Sequence, residues 1–196
     1  MFEPIDPKEL IKLLQWNEQL GCYTRPGFEH IVWREVSDVA TWLIFFDVDN
    51  MKALNSNGSW DKTSDLIKSC VHLRSTDFVC AVGQVLSGDE FVVAITERTG
   101  EFSDPLKLCE RIQGNFKAHN ASATFAYGRV KSSHLDANLK PLKGIVEAAK
   151  RQNRRGTITR LEDTEIPDEV RYQFMNRRLY PSGSASLFST HARDAQ

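Results

Sequence analysis

Two pairs of acidic residues stand where strands would end. "FFDVDNMK" sets Asp47 and Asp49 at the close of an apolar, β-rich run, and "LSGDEFVVAI" sets Asp89 and Glu90 between a Ser-Gly pair and a second apolar run. On a regular strand Asp47 and Asp49 point to one side and Val48 to the other. A turn between strands ordinarily favours Asn-Gly or Asp-Gly, in which glycine supplies positive φ. Here the glycine comes first, so Asp89 and Glu90 stand at the tight end of a strand. If the two loci meet at the rim of one sheet, their carboxylates repel each other or hold protons unless a cation joins them. Oxygen-only donors of this kind suit Mg2+ or Mn2+ rather than zinc. Magnesium typically uses one or two carboxylates together with substrate phosphates, so the chemistry implied is that of a nucleoside triphosphate. Any one of these acids alone reads as a solvated strand end; their expected adjacency is what argues for a site.

The elements that would position them follow from hydrophobic spacing. "TWLIFFDV", residues 41–48, is a continuous apolar run that predicts a strand buried on both faces. "DFVCAVGQVL" and "EFVVAIT", residues 77–86 and 90–96, predict a hairpin around the Ser-Gly-Asp turn. Between them "DKTSDLIKSCVHLRS" carries helical spacing. A helix at "DPLKLCERIQGNFKAH", a strand at "SATFAYGRV", a helix at "LKPLKGIVEAAKRQN" and a strand at "GTITRL" follow. Before all of these, "DPKELIKLLQWNEQLG" predicts a short amphipathic helix that starts near Pro7 and stops at Gly21. This order predicts an α/β sandwich, a mixed sheet with helices packed on it. The core domain is expected over residues 1–162, and 163–196 as an extension with one further helix and a loose tail.

Bulk properties narrow the partners. The 196-residue chain has a formal net charge of -1, which gives no basic field for nucleic acid. No apolar run is long enough to span a bilayer, and "MFEPIDPKEL" lacks a signal-peptide pattern, so the expectation is a cytoplasmic protein without a membrane partner. Four cysteines without a CxxC pair, and five histidines without metal-ligand spacing, argue against zinc.

In combination these segments resemble the GGDEF family, the diguanylate cyclases, whose palm-like, ferredoxin-related domain joins two GTP molecules into cyclic di-GMP. "FFDVDNMKALN" and "LSGDEFVVAI" carry the likeness, with "LGCYTRPGFE" similar to the opening TGLxNRRxF, "TFAYGRV" to the SIGVA strand and "AAKRQNRRGTI" to the closing AKxxGRNRV. The resemblance runs from about residue 17 to 160. It implies that Asp47 and Asp89, with the backbone carbonyl of Val48, hold two Mg2+ ions. It also implies that Asp89 accepts a proton with Glu90 beside it. Lys150 and Arg154 would lie on the triphosphate, Asn55 on the guanine edge, and Lys52 is a weaker phosphate candidate. Lys150 and Arg154, four apart, would share one helical face. Such a chain holds one nucleotide, so ring closure implies a homodimer, transient or stable.

The sequence also departs from that pattern. Ser87 replaces the first glycine of the signature, and the base-recognition motif GHxxGD reads "GSWDKT", with Ser59 for His, Lys62 for Gly and Thr63 for Asp. A carboxylate accepts from guanine N1 and N2, whereas a threonine hydroxyl also donates and tolerates adenine, so base choice is expected to relax or to shift toward ATP. Asn17 and Gln19 replace the Asp and Thr of the usual opening, and Lys143 and Glu147 replace an Asp and a Tyr in the last helix. Arg74 to Asp77 has the RxxD form of the family's product-inhibition site but lies about four residues too far from the signature. With no sensory segment ahead of the core, constitutive action or control by a partner is expected. Three readings follow: a metal-dependent cyclase using GTP, ATP or both; a degenerate domain that binds nucleotide or dimerises without catalysis; and a minimal cyclic oligonucleotide synthase akin to the CRISPR polymerase palm.

Overall fold

The structure is a computed structural model and describes residues 15–57, 59–73, 79–85, 88–96 and 104–163. The expected extension from residue 164 on, the greater part of the expected first helix, Ser87 and the Arg74–Asp77 motif lie outside the described residues. Among the described residues seven strands form one mixed sheet. In chain order they are β1 (Trp16–Asn17), β2 (Cys22–Tyr23), β3 (Ala40–Val48), β4 (Val79–Gln84), β5 (Glu90–Thr96), β6 (Ala123–Arg129) and β7 (Ile158–Arg160). Across the sheet they run β1-β2-β4-β5-β3-β6-β7. β3 is antiparallel to both β5 and β6, whereas β2 pairs with β4, and β6 with β7, in parallel.

The helices are α1, α2 (Met51–Asn57), α3 (Trp60–Cys70), α4 (Pro105–Ala118) and α5 (Leu135–Arg151). α1 is a continuous helical segment made of Arg25–Gly27, a wider π-type stretch at Phe28–Trp33, and Arg34–Val36. None of the described helices is long and apolar enough to cross a membrane.

Alternation along β3 explains why it reads as an unbroken apolar run. Trp42, Ile44, Phe46 and Val48 enter one core with Ile67 of α3 and Ile112 and Phe116 of α4. Leu43 and Phe45 enter the other with Phe28 of α1 and Leu142, Ile145 and Val146 of α5. Phe46 stacks between Phe91 and Phe125, with ring centroids at 5.1 and 5.0 Å. Both faces of the strand are therefore covered, as parity requires when helices flank a sheet on each side.

Three expectations change. The helix expected to run to Gly21 does not: Trp16–Tyr23 is a small antiparallel hairpin that pairs Trp16 with Tyr23 at the sheet edge. Its turn is closed locally, by Leu20 N–H donating to Asn17 Oδ1 (3.1 Å) and Gly21 N–H to the Asn17 carbonyl (2.8 Å), with Gly21 at φ +63°. The Gly21 that reads as a helix stop is a turn residue, because positive φ costs glycine little. α1 was not expected; Thr24 caps it by accepting from Gly27 N–H at 3.2 Å, and Pro26 sits in its first turn where a missing N–H is harmless. α2 was likewise unexpected, and it follows Asn50 at φ +56°.

Candidate functional site

β3 and β5 bring the two acidic loci together. Their register sets Asp47 directly opposite Glu90, and Val48 N–H donates to the Asp89 carbonyl at 2.8 Å. Asp47 and Glu90 project to the face covered by α5, since Phe45 and Val92, two residues along each strand, belong to that core. Two lysines of α5 meet them. Lys143 Nζ lies 2.6 Å from Glu90 Oε1, and Lys150 Nζ bonds Asp47 Oδ1 and stands 3.6 Å from Asp49 Oδ1. Seven residues, two helical turns, separate the lysines, so one stripe of α5 supplies both.

The electrostatics are those of crowded acids in a poorly hydrated place. Burial, aided by the neighbouring Asp89 and Glu90, raises the Asp47 carboxyl from 3.8 to about 6, although Lys150 opposes the shift. The second oxygen of Glu90, Oε2, is buried without a hydrogen-bond partner. Among the described residues no group of three or more His, Cys, Asp or Glu side chains is arranged to hold a metal ion.

Asp49 is different in kind. It is only 2% exposed and accepts from Ser122 Oγ (2.8 Å), Thr124 Oγ1 (2.8 Å) and Gly156 N–H (3.0 Å). It ties the end of β3 to β6 and to the segment entering β7. Asp47 and Asp49 do share a side, as their common approach to Lys150 requires, but Asp49's acceptor capacity goes to protein donors.

The other residues singled out by sequence spread over neighbouring elements. Val48 buries its side chain in the core on the opposite face from Asp47. Lys52 is exposed on α2, where its carbonyl accepts from Ser56 Oγ at 2.8 Å. Asn55, also on α2, has a buried Oδ1 with no partner. Ser59 is the N-cap of α3, its hydroxyl accepting from Lys62 N–H at 3.4 Å. Thr63 is 4% exposed and turns its hydroxyl to the Ser59 carbonyl, also at 3.4 Å.

Lys150 and Arg154 do not share a helical face. α5 ends at Arg151, Asn153 takes φ +57°, and the N–H groups of Asn153 and Arg154 return to the carbonyls of Lys150 (3.1 Å) and Ala149 (2.8 Å). This is a Schellman closure, which sets Arg154 in the turn beyond the helix, exposed and bonded to Gln152 Oε1 at 2.6 Å. The sequence marks Lys143 only as a departure in the last helix and does not pair it with Glu90; strand parity combined with two-turn spacing from Lys150 is the signal that would find the ion pair. Trp60, exposed at the start of α3, carries no sequence signal that marks it.

No protein-family model matches the sequence, and no curated protein matches it. Solved structures do. The diguanylate cyclase SiaD of Pseudomonas aeruginosa, solved with its activator SiaC, superposes with a TM-score of 0.61 at 15% identity, over 78% of this chain and 64% of that one. The GGDEF domain of YfiN (TpbB) of Pseudomonas aeruginosa gives a TM-score of 0.61 at 21% identity over 81% of this chain and 99% of that one. A microbial GGDEF domain solved with bis-(3,5)-cyclic di-GMP gives 0.59 at 17% identity over 77% and 99%.

The fold is that of a GGDEF domain. Within the GGDEF fold of this chain, Asp47, Asp89 and Glu90 lie at adjoining ends of two paired strands. Against the SiaD chain it spans less than two thirds of the length.

Proposed function

We propose that this protein is a metal-dependent nucleotidyl cyclase that condenses two nucleoside triphosphates, GTP, ATP or one of each, into a cyclic dinucleotide with release of pyrophosphate. The observation that carries the reading is the register of Asp47 against Glu90, with Asp89 one residue away, at the rim of a GGDEF-type sheet. Neighbours of the same fold include a diguanylate cyclase and a domain holding bis-(3,5)-cyclic di-GMP.

The donor set fits a hard divalent ion. Asp47 and Asp89 offer carboxylate oxygens, Glu90 Oε2 is a buried acceptor without a partner, and a magnesium site of one or two carboxylates is completed by substrate phosphates. Asp47, Asp89 and the Val48 carbonyl would hold Mg2+ or Mn2+, which when bound neutralises charge on the triphosphate and eases loss of the ribose 3′-hydroxyl proton. Asp89, with Glu90 beside it, takes that proton. The 3′-oxygen then bonds to the α-phosphorus of the second nucleotide, and the bond to the bridging oxygen breaks as pyrophosphate leaves. Lys150 and Arg154 balance the triphosphate charge, with Lys52 as an outer contact. Asn55 accepts from a base amino group; Thr63 stands where a carboxylate would have selected guanine, and Ser59 where the motif has a histidine. Each chain contributes one half-site, so two copies act face to face.

A second reading has its own observation. Both acids that face α5 already carry a lysine partner, as they would in a domain that binds a nucleotide or dimerises without turnover. Incubation with Mg2+ and ATP, GTP or both, followed by mass spectrometry of the products, separates the two. Cyclic dinucleotide with stoichiometric pyrophosphate is expected. Intact triphosphates after prolonged incubation favour the binding module, and exclusive cyclic di-GMP rejects relaxed base choice.

A further inference from the structure

We infer that Trp60 is the stacking platform for the nucleotide base, so that purine recognition in this chain rests on an aromatic face more than on hydrogen bonds. The inference depends on the nucleotide site proposed above and names a residue within it.

Trp60 opens α3 and is 41% exposed. Exposure alone would mean little, but the ring is fixed at two edges. Its Nε1–H donates to Gln19 Oε1 at 3.0 Å, and Gln19 is itself held by Asp61 Oδ1 at 3.4 Å. Its benzo edge lies on Gly88. A Cβ built on Gly88 would collide with Cη2 and sit 3.3 Å from Cζ2 and Cζ3. The indole therefore bridges the β1–β2 turn and the β4–β5 turn, one residue from Asp89. A ring gripped by its edges keeps a face for a ligand, and a preset ring loses little freedom when the ligand arrives. With its N–H already bonded, the indole offers that ligand only its π surface.

The hydrogen-bonding groups of α2 and α3 point the same way. Thr63, which stands where a carboxylate would read guanine, is buried with its hydroxyl directed into its own helix. Asn55 Oδ1 is the buried side-chain acceptor on α2 without a partner. One such acceptor takes an amino hydrogen from adenine or from guanine. Every base has a π face, so stacking holds either purine and cannot choose between them. The substrate class is thus purine nucleoside triphosphates with weak discrimination.

Calorimetric titration with non-cleavable α,β-methylene ATP and GTP, and with inorganic tripolyphosphate, all with Mg2+, tests this. Trp60→Ala is expected to weaken both nucleotides by about tenfold while Trp60→Phe stays within roughly threefold of wild type, because stacking survives in a smaller ring. Tripolyphosphate affinity is expected to be unchanged. Gly88→Ala, which dislodges the ring without altering it, is expected to reproduce the base-dependent loss. Unaltered nucleotide affinity in Trp60→Ala, or parallel loss of tripolyphosphate, overturns the platform while leaving the nucleotide site in place. Failure of the wild type to bind any of the three ligands overturns both.

Discussion

Lys143 on α5 and Glu90 at the start of β5 form an ion pair of 2.6 Å across the helix–sheet interface, leaving Glu90 Oε2 buried and unpartnered. This pair sits one strand away from Lys150 and Asp47, and the two together hold α5 over the acidic rim. Glu90 and Asp47 are thus each matched with a lysine of α5.

Removing one partner of the first pair strands a mostly buried charge. Lys143→Met is expected to lower unfolding free energy by about 1–3 kcal/mol, and adding Glu90→Gln in the same chain to restore a large part of it. Urea denaturation of the single and double variants measures this; equal stability of wild type and Lys143→Met would show the pair to be ornamental.

The raised Asp47 carboxyl predicts a pH dependence with a definite sign. Its folded value, about 6, lies above the 3.8 of the free side chain, so the folded protein binds this proton more tightly than the unfolded one. Its contribution to stability is present below pH 4 and is lost as pH rises through about 6. A shift of this size corresponds to about 2–3 kcal/mol. Asp47→Asn removes the titration, and the stability profile between pH 4 and 6 should flatten relative to wild type in parallel denaturation series.

Asp49 is expected to serve the fold and not the reaction. Asp49→Ala deprives Ser122, Thr124 and Gly156 of their shared acceptor, at an expected cost of about 2–4 kcal/mol. Below the melting point, magnesium-dependent triphosphate binding should persist. Thermal melts alongside binding isotherms test both halves, and loss of binding in a folded Asp49→Ala would move this residue into the site.

Much of this arrangement is legible in the residues themselves. The run from Trp42 to Phe46 has no polar break, which a strand covered on both faces demands, and the Ser-Gly-Asp turn marks where the adjoining strand begins. From those two observations the meeting of Asp47 with Asp89 and Glu90 follows. Other features depend on contacts that no local pattern encodes. Trp16 to Gly21 continues a helical spacing, yet edge pairing with Tyr23 and the side chain of Asn17 turn it into a hairpin. Arg154 is four residues from Lys150, but left-handed Asn153 ends the helix between them. Asp49 reads as a neighbour of Asp47 on one side of the strand, and only the fold shows Ser122 and Thr124, more than seventy residues away in the chain, donating to it.

The central claim, that Asp47 and Asp89 act as one divalent-ion site for a triphosphate, is tested most directly by calorimetry of a non-cleavable purine triphosphate with and without Mg2+. Wild type, Asp47→Ala and Asp89→Ala are compared after matched melting curves establish that all three are folded. The account predicts strong magnesium-dependent uptake by wild type and loss of that dependence in either variant. Uptake that ignores magnesium, or that survives both substitutions unchanged, would contradict it.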